Sequence, residues 1–289
     1  NGKEVVRELA RRYAEIAALP RQQETITGWR RLNGLQSNRP MVRIEQLPWH
    51  ELDWGAEKMV NQAGELRDVE QRLRMTIYAW ENFRSDMVVL PYLGLAKTVR
   101  NADFGPAAEV ERMGLSQHFS EQLATIDEVQ ALSPPTIEVD LELDQQRLTT
   151  VSEMLDGILP VKLVGHIRHS GLWDKITMTI SAERMLYDLI DRPEYVLALI
   201  TKYVEMESVV LDQFEQNGLL EAAPADIHCT GAFTDELPSP AYDGRSATAR
   251  DTWTFSMAQM FSEVSPAMQE EFDIKPLKPL LERYGLVYY

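Results

Sequence analysis

The densest chemistry in the chain lies between Ala225 and Pro238, in the run Ala-Asp-Ile-His-Cys-Thr-Gly-Ala-Phe-Thr-Asp-Glu-Leu-Pro. It holds the only cysteine, Cys229, beside His228, with the carboxylate pair Asp235 and Glu236 a few residues on. An imidazole titrates near neutrality and can move a proton or bind a ligand. Adjacent carboxylates can hold a cationic amine or shuttle a proton. The run opens as a short strand, Asp226-Ile227-His228-Cys229, so these groups fall where a strand gives way to a loop, a place where function collects. On a strand the His228 and Cys229 side chains point to opposite faces and cannot share a metal ion; a loop starting at His228 would bring them together. The bland alternatives are a hydrogen-bonded histidine, a cysteine behaving as a small hydrophobe and a solvated acidic pair.

Two more histidines, His166 and His169, flank another strand end. With His228 they would supply three imidazoles, a set zinc accepts, against the alternative of separate hydrogen-bonding roles. Tyr92 and Trp173 sit beside strand-end glycines and could line a pocket for a flat or methylated cationic group, or be core. His118, within a long excursion between elements, is a candidate lid residue.

These residues need a scaffold, and the hydrophobic periodicity supplies one. Val5, Val6, Leu9, Ala10, Tyr13 and Ile16 recur at helical spacing over 4–18, with Pro20 as a stop and a polar segment following. Leu66, Val69, Leu73, Ile77 and Trp80 mark a second long helix, and 193–217 a third, with Pro193 at its first position and Gly218 at its end. Strand candidates start near residues 41, 87, 161, 225, 253 and 286. Met41 to Glu45 alternates, and Met87 to Gly94 is a continuous apolar run of the kind found in parallel sheets. Thr136 to Leu143 alternates too, as an acidic-faced strand or an extended linker, before a short helix over 145–155. Residues 96–135 show no sustained period. Strands alternating with helices indicate an α/β fold with a parallel sheet.

Composition narrows the partners. The chain has 289 residues, 44% of them hydrophobic, which is ordinary globular material. With 29 basic against 45 acidic residues its formal charge is -16, so nucleic acid and anionic membrane surfaces are disfavoured partners. One cysteine excludes an internal disulfide and fits a reducing, cytoplasmic setting. No apolar run reaches the length of a membrane span.

Four segments together resemble the uroporphyrinogen decarboxylase superfamily. They are Val161-Lys162-Leu163 through Gly171-Leu172-Trp173-Asp174, Asp191-Arg192-Pro193-Glu194-Tyr195-Val196, His228-Cys229-Thr230-Gly231 with Asp235-Glu236-Leu237-Pro238, and Ser265-Pro266-Ala267-Met268 through Gly285-Leu286-Val287-Tyr288-Tyr289. The likeness is to its corrinoid-associated, methyltransferase-like branch. It implies a (β/α)₈ TIM barrel with its site at the carboxy-terminal strand ends: one domain over 1–289, with a helical extension over about 1–38. Six strand candidates stand where eight are needed, and the last, Leu286 to Tyr289, has no successor. The barrel is therefore expected to be truncated at its C-terminal end, by roughly a hundred residues.

True uroporphyrinogen decarboxylases carry paired arginines in the first-strand motif. Here Arg43 is followed by Ile44-Glu45-Gln46, so porphyrinogen decarboxylation is not expected. The zinc-dependent branch uses a His-x-Cys motif and a later cysteine; His228 and Cys229 are adjacent and no second cysteine exists, so zinc is not assignable.

The resemblance implies a methyltransferase moving a methyl group between a small methylated compound and a corrinoid carried on a partner protein. His228, His166 and Asp235 or Glu236 would orient or protonate the leaving group, while Tyr92, His118, His169, Trp173 and Cys229 line the substrate. No corrinoid-binding Asp-x-His-x-x-Gly motif occurs, so the cobalt would come from the partner. A lyase acting on a small carboxylated substrate would instead need Arg43 or Arg168 in the pocket as a clamp. A non-catalytic binding barrel would show an apolar mouth. A homodimer is left open.

Overall fold

The structure is a computed structural model describing residues 2–37, 39–83, 85–107, 109–113 and 116–289. Its helices are α1 (Gly2–Ala17), α2 (Pro20–Asn33), α3 (Gly64–Asn82), α4 (Ile126–Gln130), α5 (Leu141–Leu155), α6 (Leu172–Ile180), α7 (Ala182–Asp191), α8 (Pro193–Gln216), α9 (Pro266–Gln269) and α10 (Lys275–Leu281). The strands are β1 (Leu93–Ala96), β2 (Val99–Arg100), β3 (Val110–Met113), β4 (Ser116–Phe119), β5 (Glu138–Val139), β6 (Val161–Val164), β7 (Asp226–Ile227), β8 (Thr230–Gly231), β9 (Trp253–Phe255) and β10 (Leu286–Tyr288).

The fold is mixed α/β. Two strand pairs are parallel, β1 with β6 and β9 with β10, and His169 makes a parallel bridge to Phe255. Three are antiparallel: β2–β5, β3–β4 and β7–β8. Among the described residues the sheets are all two-stranded and do not close into a barrel. Contacts group the chain into two compact units. The first takes the chain up to Thr98, Asp140–His166 and Ala223–Glu236; the second takes Val99–Val139, Ile167–Ala222 and Leu237–Tyr289.

In the first unit, α1 buries Val6, Ala10, Tyr13 and Ile16, the stripe its periodicity marks, in one cluster with Val69, Leu73 and Ile77 of α3 and Val151, Met154 and Leu155 of α5. Each valine, leucine, isoleucine or methionine side chain among them, taken out of water, contributes about 1.5–3 kcal/mol before the cost of ordering it. Leu93 and Leu95 of β1 join the same cluster. In the second unit, α8 is the spine, fully burying Val196, Leu199, Ile200, Tyr203, Met206 and Val210. It starts with Pro193 at its first turn, and Gly218, at φ +60, follows its end. That is the proline-in, glycine-out asymmetry of a capped helix.

Several sequence expectations shift. Pro20 opens α2 rather than merely ending α1, and the polar segment behind it is helical to Asn33. A proline at the first helical position loses no hydrogen bond, so it starts a helix as readily as it stops one. Met41 to Glu45 forms no strand. The apolar run starting at Met87 becomes a strand only at Leu93. Thr136 to Leu143 divides into the two-residue β5 and the first turn of α5, where Asp140 caps the helix by accepting from the Leu143 N–H. Acidic residues in a first turn favour the helix dipole, and this overrides the alternation.

Candidate ligand cleft on the third helix

The stretch from Ala225 to Pro238 is arranged differently from a parallel strand end. β7 and β8 pair antiparallel, Asp226 opposite Gly231 and Ile227 opposite Thr230, so His228 and Cys229 are the two central residues of a hairpin turn. Cys229 adopts φ +55, the left-handed conformation that L residues adopt at a cost. It is exposed, and His228 is half-buried. The hairpin is fixed from α2: Asn33 Nδ2 donates to the carbonyls of Gly231 and Phe233 at 3.0 and 2.8 Å. Trp29 lies on Gly231 so closely that a Cβ there would meet its ring at 2.5 Å. Asp235 and Glu236 are exposed, Asp235 within 3.4 Å of Arg30.

The remaining predicted site residues fall elsewhere. His166 Nε2 lies 2.7 Å from the Lys97 carbonyl. The Tyr92 ring carries the chain's own cation, Lys162 Nζ at 4.3 Å. His169, in the second unit, is exposed with its edge to Phe255 at 5.5 Å, and Trp173 is fully buried against Phe261. Trp173 is thus a core residue. The backbone of His118 lies in β4, and its side chain is outside the described residues. Arg168 is engaged bidentately by Glu207, Nε to Oε1 at 2.8 Å and Nη2 to Oε2 at 2.5 Å, so it is not an open clamp. Among the described residues no group of three or more His, Cys, Asp or Glu side chains is placed to hold a metal ion. The Cys229 thiol is pushed above its ordinary value by desolvation and by the carboxylate of Glu45, which works against a thiolate ligand or nucleophile.

A cleft of about 500 Å³ does occur within the first unit, between the segment 43–49 and α3. Its floor is a second stripe of α3, Asp68, Gln71, Arg72, Met75, Thr76 and Ala79, running beside the stripe buried in the core. Residues at i, i+3, i+4, i+7, i+8 and i+11 share one helical face. The opposite wall is Arg43, Ile44, Glu45, Gln46, Leu47 and Trp49, with Met87 beside them.

The wall makes no strand ladder, and side chains hold the segment that leads into it in place of strand hydrogen bonds. The carboxylate of Asp86 accepts from the Arg39 guanidinium at 2.7 and 2.9 Å and from the Val42 N–H at 2.8 Å, while the Asp86 N–H returns to the Val42 carbonyl at 2.6 Å. Arg39, then burial working against it and the Val42 amide, leave the Asp86 carboxyl below the usual range. Trp29 Nε1 caps the same residue through its carbonyl at 2.8 Å. The floor is pinned by Glu70. Burial alone would raise its carboxyl, but the amides of Asn61 and Val60, the Asn61 side chain and Arg74 outweigh that and hold it low.

The two arginines of the cleft differ. Arg43 is mostly buried and committed: Nη1 to Asp226 at the root of the hairpin and Nη2 at 3.7 Å from Glu45. Its Nε is buried with no hydrogen-bond partner among the described residues. Arg72 is exposed and gives Nη1 to the Gly94 carbonyl, and its other N–H groups make no hydrogen bond among the described residues. The hairpin therefore touches the cleft from behind, through Asp226 on Arg43 and Cys229 beside Glu45, while His228, Asp235 and Glu236 do not line it. A guanidinium with unsatisfied N–H groups beside an apolar wall is suited to a carboxylate, which it can engage bidentately.

Of the lining residues, the sequence pointed to Arg43 and missed Arg72, Gln71, Asp68 and Trp49. The available signal was the second 3.6-residue stripe of α3, which is hidden under polar side chains.

Compared with family models, with curated proteins and with solved structures, the chain matches none. No helix among the described residues is long and apolar enough to cross a membrane.

Proposed function

We propose that the chain is an enzyme on a (β/α)₈ scaffold of the uroporphyrinogen decarboxylase type, and that it transfers a methyl group from a small carboxylated compound to a corrinoid carried on a separate protein. The observation that carries the reading is the cleft on α3, where Arg72 has N–H groups with no hydrogen-bond partner among the described residues, in a lining that includes Ile44, Leu47, Met75, Ala79 and Met87. Its volume is that of a small-molecule site. A corrinoid would therefore meet it at the mouth.

The scaffold half of the proposal draws support from the two parallel pairs. β1 reaches β6 through a connection containing α5, and β9 reaches β10 through one containing α9 and α10. Parallel neighbours joined through helices are the repeating unit of such barrels. The corrinoid, when bound, supplies the nucleophile. The chain's own work is positional: Arg72 and Gln71 hold the carboxylate, and the apolar wall excludes water and turns the methyl group outward. The His228, His166, Asp235 and Glu236 set has no part in this version, because none of them lines the cleft.

A second reading, decarboxylation or another lyase reaction, draws on the same guanidinium, since a carboxylate clamp is what it needs. Mixing the chain with a reduced corrinoid protein and a panel of methylated donors separates the two. Methylation of the corrinoid, followed by absorption, is predicted with carboxylated donors and lost in Arg72→Gln. Release of carbon dioxide without corrinoid methylation establishes the lyase instead. Methylation that ignores the carboxylate overturns the role of the cleft.

A further inference from the structure

The charges lining the cleft are of both signs, and their arrangement narrows the ligand further than a carboxylate alone. Arg72 is exposed, and Arg43 sits under Glu45 and Asp226. On the same surface lie Glu45, with 44% of its side chain exposed, and Asp68, with 69%. Asp68 has the exposed Arg67 as its ion-pair partner among the described residues, at 3.4 Å, and the charge of Arg147 also acts on it. A ligand that is only anionic meets these two carboxylates as well as the arginines. A ligand that is only cationic meets the guanidinium of Arg72. A ligand carrying both charges satisfies each half.

Trp49 adds a discriminating surface. It lines the cleft half-buried, with its edge contacts to Trp54 at 6.5 Å and Tyr78 at 6.3 Å and its carbonyl accepting from Trp54 Nε1 at 3.0 Å. The two ring contacts pack the indole among aromatic neighbours, and the hydrogen bond holds its backbone. An indole face is the best aromatic partner for a methylated ammonium, which keeps its charge but offers no strong hydrogen-bond donor.

We infer that the cleft takes a zwitterionic N-methylated amino acid, with its carboxylate on Arg72, its quaternary ammonium against Trp49 between Glu45 and Asp68, and an apolar body along Met75, Ala79 and Met87. This rests on the carboxylate-binding reading above and assigns the methyl-bearing end. It also accounts for the chemistry of the lining, which is arginine, carboxylate, amide, hydroxyl, thioether and hydrocarbon. When a quaternary ammonium loses a methyl group, the C–N bond breaks with its electron pair on nitrogen. The leaving group departs as a neutral tertiary amine and needs no proton. A reduced corrinoid on the partner protein would accept the methyl group as a cation equivalent and supply the electron pair of the new bond.

Three probes test the assignment by calorimetry or ligand-observed NMR: N,N,N-trimethylphenylalanine, its carbon isostere 2-benzyl-3,3-dimethylbutanoate, and phenethyltrimethylammonium. The zwitterion is expected to bind at least about tenfold more tightly than either half-ligand. Trp49→Leu should erase that margin while leaving the carbon isostere's affinity in place. Asp68→Asn, an exposed change that leaves the aromatic packing intact, should narrow it. Equal affinity for zwitterion and isostere overturns the inference and leaves the carboxylate site standing. Binding of the cation alone, or of no probe that carries a carboxylate, overturns the carboxylate reading itself.

Discussion

Cys229 shows how a chemically suggestive residue can be a geometric one. As the only cysteine, beside a histidine, it invites a nucleophilic or metal role, yet it occupies the second position of a two-residue turn at φ +55 with its thiol pushed up by desolvation and Glu45. A left-handed L residue costs roughly 1–2 kcal/mol, and glycine adopts that conformation freely. Cys229→Gly is therefore expected to raise Tm, by about 1 kcal/mol of stability less glycine's own entropic cost, without changing ligand affinity; a fall in Tm, or lost binding, would show that the thiol matters. The rarity of a residue type drew attention to 228–229, but rarity carries no information on backbone conformation. Arg72 was obscure for the opposite reason. It is one of many arginines, and only its neighbours on the α3 face single it out.

At the scale of elements, legibility followed the physical origin of each signal. The helices α1, α3 and α8 were readable because a buried stripe repeats every 3.6 residues and each stripe is matched by burial. The segment 41–45 alternates like a strand, but its backbone is held at Val42 by Asp86 instead of by a neighbouring strand. Nothing in a local pattern distinguishes those two partners. The hairpin at 226–231 was read as the end of a parallel strand because two-residue strands are too short to show their pairing direction.

Asp86 holds the segment that leads into the cleft wall, through Arg39 and Val42. Its carboxyl lies below the ordinary value in the folded chain, so its contribution is complete above the unfolded-state pKa and is lost as pH falls through the depressed folded value. Asp86→Asn should lower Tm by a few degrees at neutral pH, flatten the acid limb of the stability profile and weaken carboxylate binding. An unchanged Tm and acid limb would remove Asp86 from that role.

For the whole molecule, the alternation of strand and helix patterns foretold a mixed α/β protein and the composition a strongly acidic one, and parallel pairing is present at β1–β6 and β9–β10. A net charge of -16 repels anions at long range. The exposed guanidinium of Arg72 on that acidic background is the group on which the proposed carboxylate site rests. The most direct measurement is phenylglyoxal modification of the intact chain, mapped by peptide mass spectrometry with and without 2-benzyl-3,3-dimethylbutanoate. Arg72 is expected to react in the free protein and to be protected by the carboxylate, while Arg43, held by Asp226 and Glu45, stays unmodified throughout. Arg72 reacting equally in both samples, with the carboxylate demonstrably bound elsewhere, would contradict it.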